Sequence, residues 1–148
     1  MMSIREAEMQ DFQAIILLMR NVLGYPGLKE TEAIKRLEYF KQSKEHATFV
    51  AVADAEISGF IGVMRGVAYT IEGYYAEILI LAVSEKYRRG GIGSALVKRA
   101  EEWARQNSAY EIGLHSNFKR LDAHLFYERN GYQKRSYWFY KDLEKMKQ

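Results

Sequence analysis

The sequence predicts a single domain of the α/β class, and three patterns support this prediction. The continuous apolar run Ile78–Val83 has the length of a buried strand, and a glycine cluster and an amphipathic helical pattern follow it directly. Ala47–Ala53 and Ile57–Val67 predict a β-hairpin around a tight turn. A chain of 148 residues has the size of one domain, so we expect residues 1–148 to form a single domain.

The elements before the hairpin are predicted from local patterning. Ser3–Arg5 predicts a short first strand. Asp11 is a residue type favoured at helix starts, and the apolar spacing after it predicts a helix that ends at the glycine- and proline-containing residues 24–27. A second amphipathic helix is expected at about Thr31–Gln42.

The second half of the chain continues this alternation. Apolar residues three or four positions apart predict a helix from Ile92 to about Arg105. Asn130-Gly131 predicts the end of a later helix, because glycine readily takes the left-handed conformation there. The other elements expected in this half are a strand at Glu111–His115, a helix at Leu121–Arg129 and terminal strands at Tyr132–Lys134 and Tyr137–Leu143.

Composition and charge exclude several classes of site. The chain has no cysteine, which excludes disulfides, thiolate metal sites and cysteine nucleophiles, and its three histidines lack metal-ligand spacing, so we expect no metal. No apolar stretch is long enough for a signal peptide or a membrane span, and we therefore expect a cytoplasmic protein without a membrane partner. The net charge of +3 comes partly from small basic clusters, which suit a polyanionic small molecule as well as they suit nucleic acid.

The glycine cluster after the apolar strand predicts a phosphate-binding loop. The first turn of a helix leaves its N–H groups without intrahelical partners, and the helix dipole adds partial positive charge there. Gly90, Gly91 and Gly93 let the backbone approach a ligand closely, and Arg88 and Arg89 add full positive charge. The alternative is a tight strand-to-helix turn that binds no ligand.

The spacing of this loop distinguishes it from other phosphate-binding motifs. The P-loop requires a Gly-Lys pair, which the chain lacks, and the dinucleotide fingerprint requires glycine or alanine where Leu96 stands. Arg88–Gly93 instead fits the pattern [RQ]-x-x-G-x-[GA] after an apolar strand. This segment resembles the acyl-CoA-binding motif of the GNAT superfamily of N-acetyltransferases.

A second block, about 30 residues further on, supports the same resemblance. The segment Ala123–Tyr132 is similar to the family pattern A-x-x-[LF]-Y-x-x-x-G-[FY]. The resemblance covers about Ile4–Leu143 and is strong only over residues 76–143. It implies a single-domain GNAT fold: a mixed, mostly antiparallel sheet of six to seven strands with helices on both faces. In that fold the central strand diverges from its neighbour, and the cofactor lies in the opening.

The resemblance also implies where acetyl-CoA, the cosubstrate, would bind. The backbone N–H groups from Arg89 to Ser94 would hold its pyrophosphate, with Arg88 contributing charge. The backbone at the end of the apolar strand would bind the pantetheine amides and polarise the thioester carbonyl. Asn117 follows the next strand, where the family often has an asparagine near the cofactor arm. The alternative is that Asn117 is only a turn residue before the helix. The cofactor-binding residues expected are Leu81, Ala82, Val83, Arg88, Arg89, Gly90, Gly91, Ile92, Gly93, Ser94 and Asn117.

Two residues are the candidates for proton transfer. Tyr127 occupies the family's tyrosine position and would act as the general acid, since a phenol stays protonated at neutral pH. The alternative is a tyrosine packed between helix and sheet. Glu77 lies ahead of the apolar run, with the strand parity of Leu79 and Leu81, and would act as the general base through water. It would otherwise be an edge carboxylate paired with a lysine, and Glu72 is the reserve candidate.

The sequence therefore indicates an acetyl-CoA-dependent N-acetyltransferase that transfers the acetyl group directly to a primary amine of a small molecule or peptide. The alternative function is a catalytically silent acyl-CoA-binding sensor or interaction domain, which would need neither the acid nor the base. The basic clusters are small and lack interleaved stacking aromatics, so the sequence does not favour a nucleic acid partner. The aromatic residues of the flanking segments would line the acceptor cleft, pack on the sheet or form a homodimer contact: Tyr69, Tyr74, Tyr75, Tyr137, Trp138 and Tyr140.

Overall fold

The computed structural model describes residues 2–144, which belong to two compact units, Met1–Leu114 and His115–Gln148. Each unit is described by itself. The first unit contains β1 (Met2–Glu6), α1 (Phe12–Asn21), α2 (Glu30–Gln42), β2 (His46–Ala53), β3 (Glu56–Gly66), β4 (Tyr74–Val83), α3 (Ile92–Gln106) and β5 (Ala109–Leu114). The second contains α4 (Leu121–Arg129).

A single mixed sheet forms the centre of the first unit. Its five strands lie in the order β1-β2-β3-β4-β5. The pairs from β1 to β4 are antiparallel, and β4 pairs with β5 in parallel. Because parallel neighbours need a crossover connection, α3 lies between β4 and β5 in the chain. The predicted mixed, mostly antiparallel sheet is therefore confirmed.

The predicted strand count of six to seven is wrong for the described residues, which form five strands. Tyr132–Lys134 and Tyr137–Leu143, expected as terminal strands, adopt no strand conformation. Their aromatic content favours strands, but a strand also needs a neighbouring backbone to pair with. Tyr137, Trp138, Phe139 and Tyr140 are instead largely exposed.

Helices cover both faces of the sheet. On one face α1 and α2 pack on a core that includes Phe12, Ile15 and Phe60. On the other face the buried side of α3, with Leu96 and Val97 fully enclosed, contacts β2, β3, β4 and β5. The amphipathic spacing of these helices matches the two apolar faces of the strands between them.

Several local predictions are confirmed in detail. Asp54 and Ala55 adopt φ values of 51° and 63°, which gives the two-residue turn between β2 and β3 the twist that hairpins favour. Gly131 ends α4 in the left-handed region, with φ 90°. Among residues 2–144, no helix has the length and apolar character that crossing a membrane requires.

Candidate functional site

The loop between β4 and α3 starts from a short 3-10 turn, Glu85–Tyr87, that is fixed to the β2–β3 hairpin. Tyr87 Oη donates a 2.6 Å hydrogen bond to the Glu56 carboxylate, and Lys86 Nζ lies 3.1 Å from the same carboxylate oxygen. The Tyr87 hydrogen bond, followed by Lys86, holds the pKa of Glu56 below its usual value. The backbone that enters the glycine cluster is thereby positioned by the neighbouring hairpin.

The backbone of the glycine cluster presents a row of free N–H groups. Arg89 and Gly91 both have positive φ, 69° and 80°, and Gly91 is the residue immediately before α3. The first backbone bond into the helix is donated by Ala95 to Gly91 O, at 3.0 Å. Within residues 2–144, the N–H groups of residues 89–94 donate to no protein acceptor.

The side chains around this loop make it electropositive. Arg88 and Arg89 are exposed, and neither forms an ion pair with another described residue. The helix dipole of α3 adds its partial positive charge at the same point. Free N–H donors, two guanidinium groups and a helix N-terminus fit a pyrophosphate, so the residues present suit the predicted nucleotide cofactor.

The second half of β4 has an open edge on its β5 side. The last pair of β4 and β5 is Ile78 with Leu114, and β5 ends there. The pairing of β4 with β3 continues, however, from Ile80 opposite Gly62 to Val83 opposite Gly59. Leu79 has no partner in β3, which makes it a β-bulge at the point where β4 and β5 part.

The hydrogen-bond alternation identifies which backbone groups face this open edge. Ser84 N donates to Ser58 O at 2.8 Å, and in an antiparallel pair the bonded positions alternate. The backbone of Ala82 therefore turns toward β3; consistently, a Cβ on Gly59 would lie 2.8 Å from Ala82 O. The N–H and C=O groups of Leu81 and Val83 turn to the opposite side, where a ligand with amide groups can pair with them.

The structure corrects the predicted strand parity of Glu77. Glu77 lies opposite Met64, while Ile80 lies opposite Gly62 and Leu81 opposite Ile61. Paired residues share a face, so Glu77 is on the face of Ile80 and not on that of Leu81. The bulge at Leu79 is the cause, because an extra residue in one strand reverses the alternation beyond it. Glu77 is half-buried on the face that α1 and α2 cover.

Two of the predicted site residues, Tyr127 and Asn117, belong to the second unit. Tyr127 is half-buried on α4, with its ring 5.2 Å from that of Phe126 and 6.0 Å from that of Tyr132. Burial raises the pKa of the Tyr127 phenol above 10.0, although Arg120 opposes the shift. Asn117 Oδ1 accepts the Lys119 N–H at 2.9 Å, so this side-chain oxygen serves the turn before α4.

A cavity of about 270 Å³ lies between α2 and the sheet and was not predicted from the sequence. It reaches Leu79 and Ile80 of β4, next to the bulge. Gly62 of β3 and the inward side of α2 were the sequence signals that could have indicated it, since a strand glycine often marks a bulge or the close approach of a ligand. Most of its wall is apolar, and its residues include Met19, Leu28, Ala33, Leu37, Phe40, Phe60 and Val63.

Three of the aromatic residues predicted for the acceptor cleft belong to the first unit, and none of the three lines this cavity: Tyr69, Tyr74 and Tyr75. Tyr69 is fully exposed, and Tyr74 stacks under the Arg65 guanidinium at 4.0 Å. Residues 2–144 contain no group of three or more His, Asp or Glu side chains that could hold a metal ion.

Comparison with known proteins identifies the family. The model of the Acetyltransferase (GNAT) family matches residues 3–132. The Aminoalkylphosphonate N-acetyltransferase of Salmonella typhimurium is 32% identical over 132 residues, covering 89% of this chain and 82% of its own length.

Solved structures show the same architecture. The transcriptional regulator from Bacillus halodurans C-125 has a TM-score of 0.89 and 26% identity, over 96% of this chain and 99% of its own. The Aminoglycoside N-Acetyltransferase AAC(6')-Iy in complex with CoA has a TM-score of 0.85 and 16% identity, over 96% of this chain and 95% of its own. The family model spans most of the chain, and the chain therefore belongs to the GNAT family of acetyltransferases.

Proposed function

We propose that this N-acetyltransferase uses acetyl-CoA as donor and transfers its acetyl group directly to a primary amine of a small molecule or peptide. The row of unpartnered N–H groups from residue 89 to residue 94, adjoining the open edge of β4, is the observation that carries the proposal. The neighbour whose structure contains CoA supports the choice of donor, and the relative named for aminoalkylphosphonates supports a small-molecule acceptor.

The donor would be held at two places on the first unit. The N–H groups of residues 89–94 would bind its pyrophosphate, with Arg88 and Arg89 adding charge and with Gly91 leaving space at the helix start. Leu81 and Val83 would pair through their backbone with the pantetheine amides, as one more strand would pair with β4. Ala82 lies between them, and its own backbone groups turn toward β3. Asn117, in the second unit, would offer its side-chain NH2 to the cofactor arm, because its Oδ1 already accepts the Lys119 N–H.

Two side chains of this protein would carry out the proton transfers of the reaction. Acetyl-CoA supplies an activated thioester carbonyl when bound. Tyr127 Oη, kept protonated because burial raises its pKa, would give its proton to the leaving thiolate. Glu77 would take a proton from the amine through water, on the face of β4 that α1 and α2 cover. The amine must be neutral when it attacks, because an ammonium has no free electron pair.

A calorimetric titration with acetyl-CoA, beside adenosine diphosphate and nicotinamide dinucleotide, tests the donor assignment. We expect saturable binding of acetyl-CoA and much weaker binding of the dinucleotide. Absence of acetyl-CoA binding at low and moderate salt would contradict the proposal. Binding without thiol release on a broad amine panel would instead support the alternative, a silent acyl-CoA sensor. A cytoplasmic location and a homodimer are further predictions, which localisation and light scattering would test.

A further inference from the structure

The cavity between α2 and the sheet is a second binding space on the first unit. Its volume, about 270 Å³, is just below the range of roughly 300–1,000 Å³ that small-molecule sites occupy. The floor is formed by β2, β3 and β4, with Thr48, Gly62 and Ile80 among its residues, and α2 forms the roof. The space therefore suits a compact molecule and not a folded partner.

Its position links it to the proposed donor site. Leu79 and Ile80 line the cavity, and the β4 backbone opens toward the β5 side directly after them, at Leu81 and Val83. A molecule in the cavity would thus lie against one face of β4, close to the open edge of that strand from which the thioester would approach. This step rests on the proposed function.

The polar groups of the lining offer little to a charged or heavily hydroxylated ligand. His46 Nδ1 is already bonded to Ser43 Oγ at 2.8 Å, and burial lowers the pKa of His46, which favours the neutral ring at neutral pH. Glu32 and Arg36 border the cavity from the exposed side of α2. Thr48 contributes one hydroxyl to a wall that is otherwise mostly apolar.

We propose that the acceptor is a primary amine carried on a compact apolar body, such as a branched alkyl or phenylethyl group, and that this body occupies the cavity. Apolar walls bind such a body by excluding water. They also disfavour an ammonium, because desolvation disfavours the charged form of an amine. The cavity would therefore select the acceptor and help to keep its amine neutral for attack.

An amine series tests this proposal through thiol release from acetyl-CoA. The series is ethylamine, butylamine, isoamylamine and phenethylamine, with ethanolamine and 2-aminoethylphosphonate as polar counterparts. We expect kcat/KM to rise by about 10-fold or more for each methylene that the cavity accepts. A flat series, or a preference for ethanolamine or the phosphonate, would overturn the proposal.

Two variants locate the effect in the cavity. Thr48→Phe fills the space, and we expect kcat/KM for phenethylamine to fall at least about 10-fold while ethylamine changes little. Thr31→Phe, the same substitution at an exposed position of α2 outside the cavity, is the control and should behave as wild type. If Thr48→Phe does not fold, Leu28→Trp fills the cavity from its rim. Equal loss for ethylamine and phenethylamine in the folded filling variant would contradict the assignment.

Thermal denaturation separates this inference from the proposed function. Phenethylamine should raise the Tm of the wild type and of Thr31→Phe but not that of the filling variant, whether or not acetyl-CoA binds. Failure of acetyl-CoA to bind, with this pattern intact, would reject the donor assignment only. Equal Tm shifts in all variants would reject the cavity as the acceptor site.

Discussion

Ile78 is the last residue of β4 that pairs with β5, and its partner is Leu114, the last residue of that strand. Two consequences follow at the next position. Leu79 bulges out of the pairing with β3, and Leu81 and Val83 keep their backbone groups free on the side that β5 has left. The separation of β4 from β5 thus creates the open edge of β4. The bulge at the same point changes the face on which the following β4 side chains lie.

Gly91→Glu should abolish acetyl-CoA binding, because it adds bulk and negative charge beside the row of free N–H groups. Gly91→Ala is the matched control, since both variants place a non-glycine residue at φ 80° and share the backbone strain. That strain costs about 1–2 kcal/mol, which urea denaturation measures in each. Calorimetry then compares the affinities, and equal affinity of the two variants for acetyl-CoA would contradict the loop assignment.

Tyr127→Phe should reduce kcat by about 10²–10⁴-fold and leave acetyl-CoA affinity nearly unchanged, if the phenol is the general acid. Burial raises its pKa above 10.0, and the acid must be protonated, so the loss of activity through Tyr127 should begin at a higher pH than it would for an ordinary phenol. Thiol release from neutral to alkaline pH measures both effects. The control is Tyr132→Phe, because Tyr132 is a neighbouring tyrosine that loses the same hydroxyl group. An equal loss of kcat in Tyr132→Phe would indicate a packing effect and contradict the role of Tyr127 as the acid.

Glu77→Gln should lower kcat by up to about 10²–10⁴-fold if Glu77 is the general base. The loss should be smaller at high pH, where more of the amine is already neutral. Glu72→Gln, in the exposed loop before β4, tests the reserve candidate for the base and should leave kcat unchanged. A pH-independent loss, or a larger loss in Glu72→Gln, would remove Glu77 from the proton path.

Asp11→Asn should make the fold less stable at neutral pH. The Asp11 carboxylate is buried and accepts two Arg5 bonds, at 2.7 and 2.9 Å, and the Glu8 N–H at 2.7 Å. Removal of one partner of such a buried set costs about 1–3 kcal/mol. Glu32→Gln, whose exposed carboxylate lies 3.8 Å from Lys35, should cost almost nothing and is the control.

The pH dependence of this difference has a definite sign. Hydrogen bonding to Arg5 lowers the pKa of Asp11 below 3.8. The stability it contributes is therefore present above pH 3.8 and is lost as pH falls through the folded-state pKa. Urea denaturation of wild type and Asp11→Asn should give curves that converge in acid. A constant difference down to the acid limit would contradict the ion-pair assignment.

The amino-acid sequence by itself determined the local elements and the family. The helix at Leu121–Arg129, the hairpin turn and the glycine at position 131 were predicted because each depends on residues close together in the chain. The loop Arg88–Gly93 was predicted for the same reason, since a helix start and its glycines are contiguous. Such features need no knowledge of distant partners.

Tertiary structure alone decided what depends on pairing between distant strands. The bulge at Leu79 and the end of β5 at Leu114 are properties of register, which no single segment encodes. They moved Glu77 to the opposite face from Leu81, and they placed the end of β4 beside the cavity under α2. Residues 132–143 have the composition of strands, yet a strand exists only where another backbone accepts its hydrogen bonds.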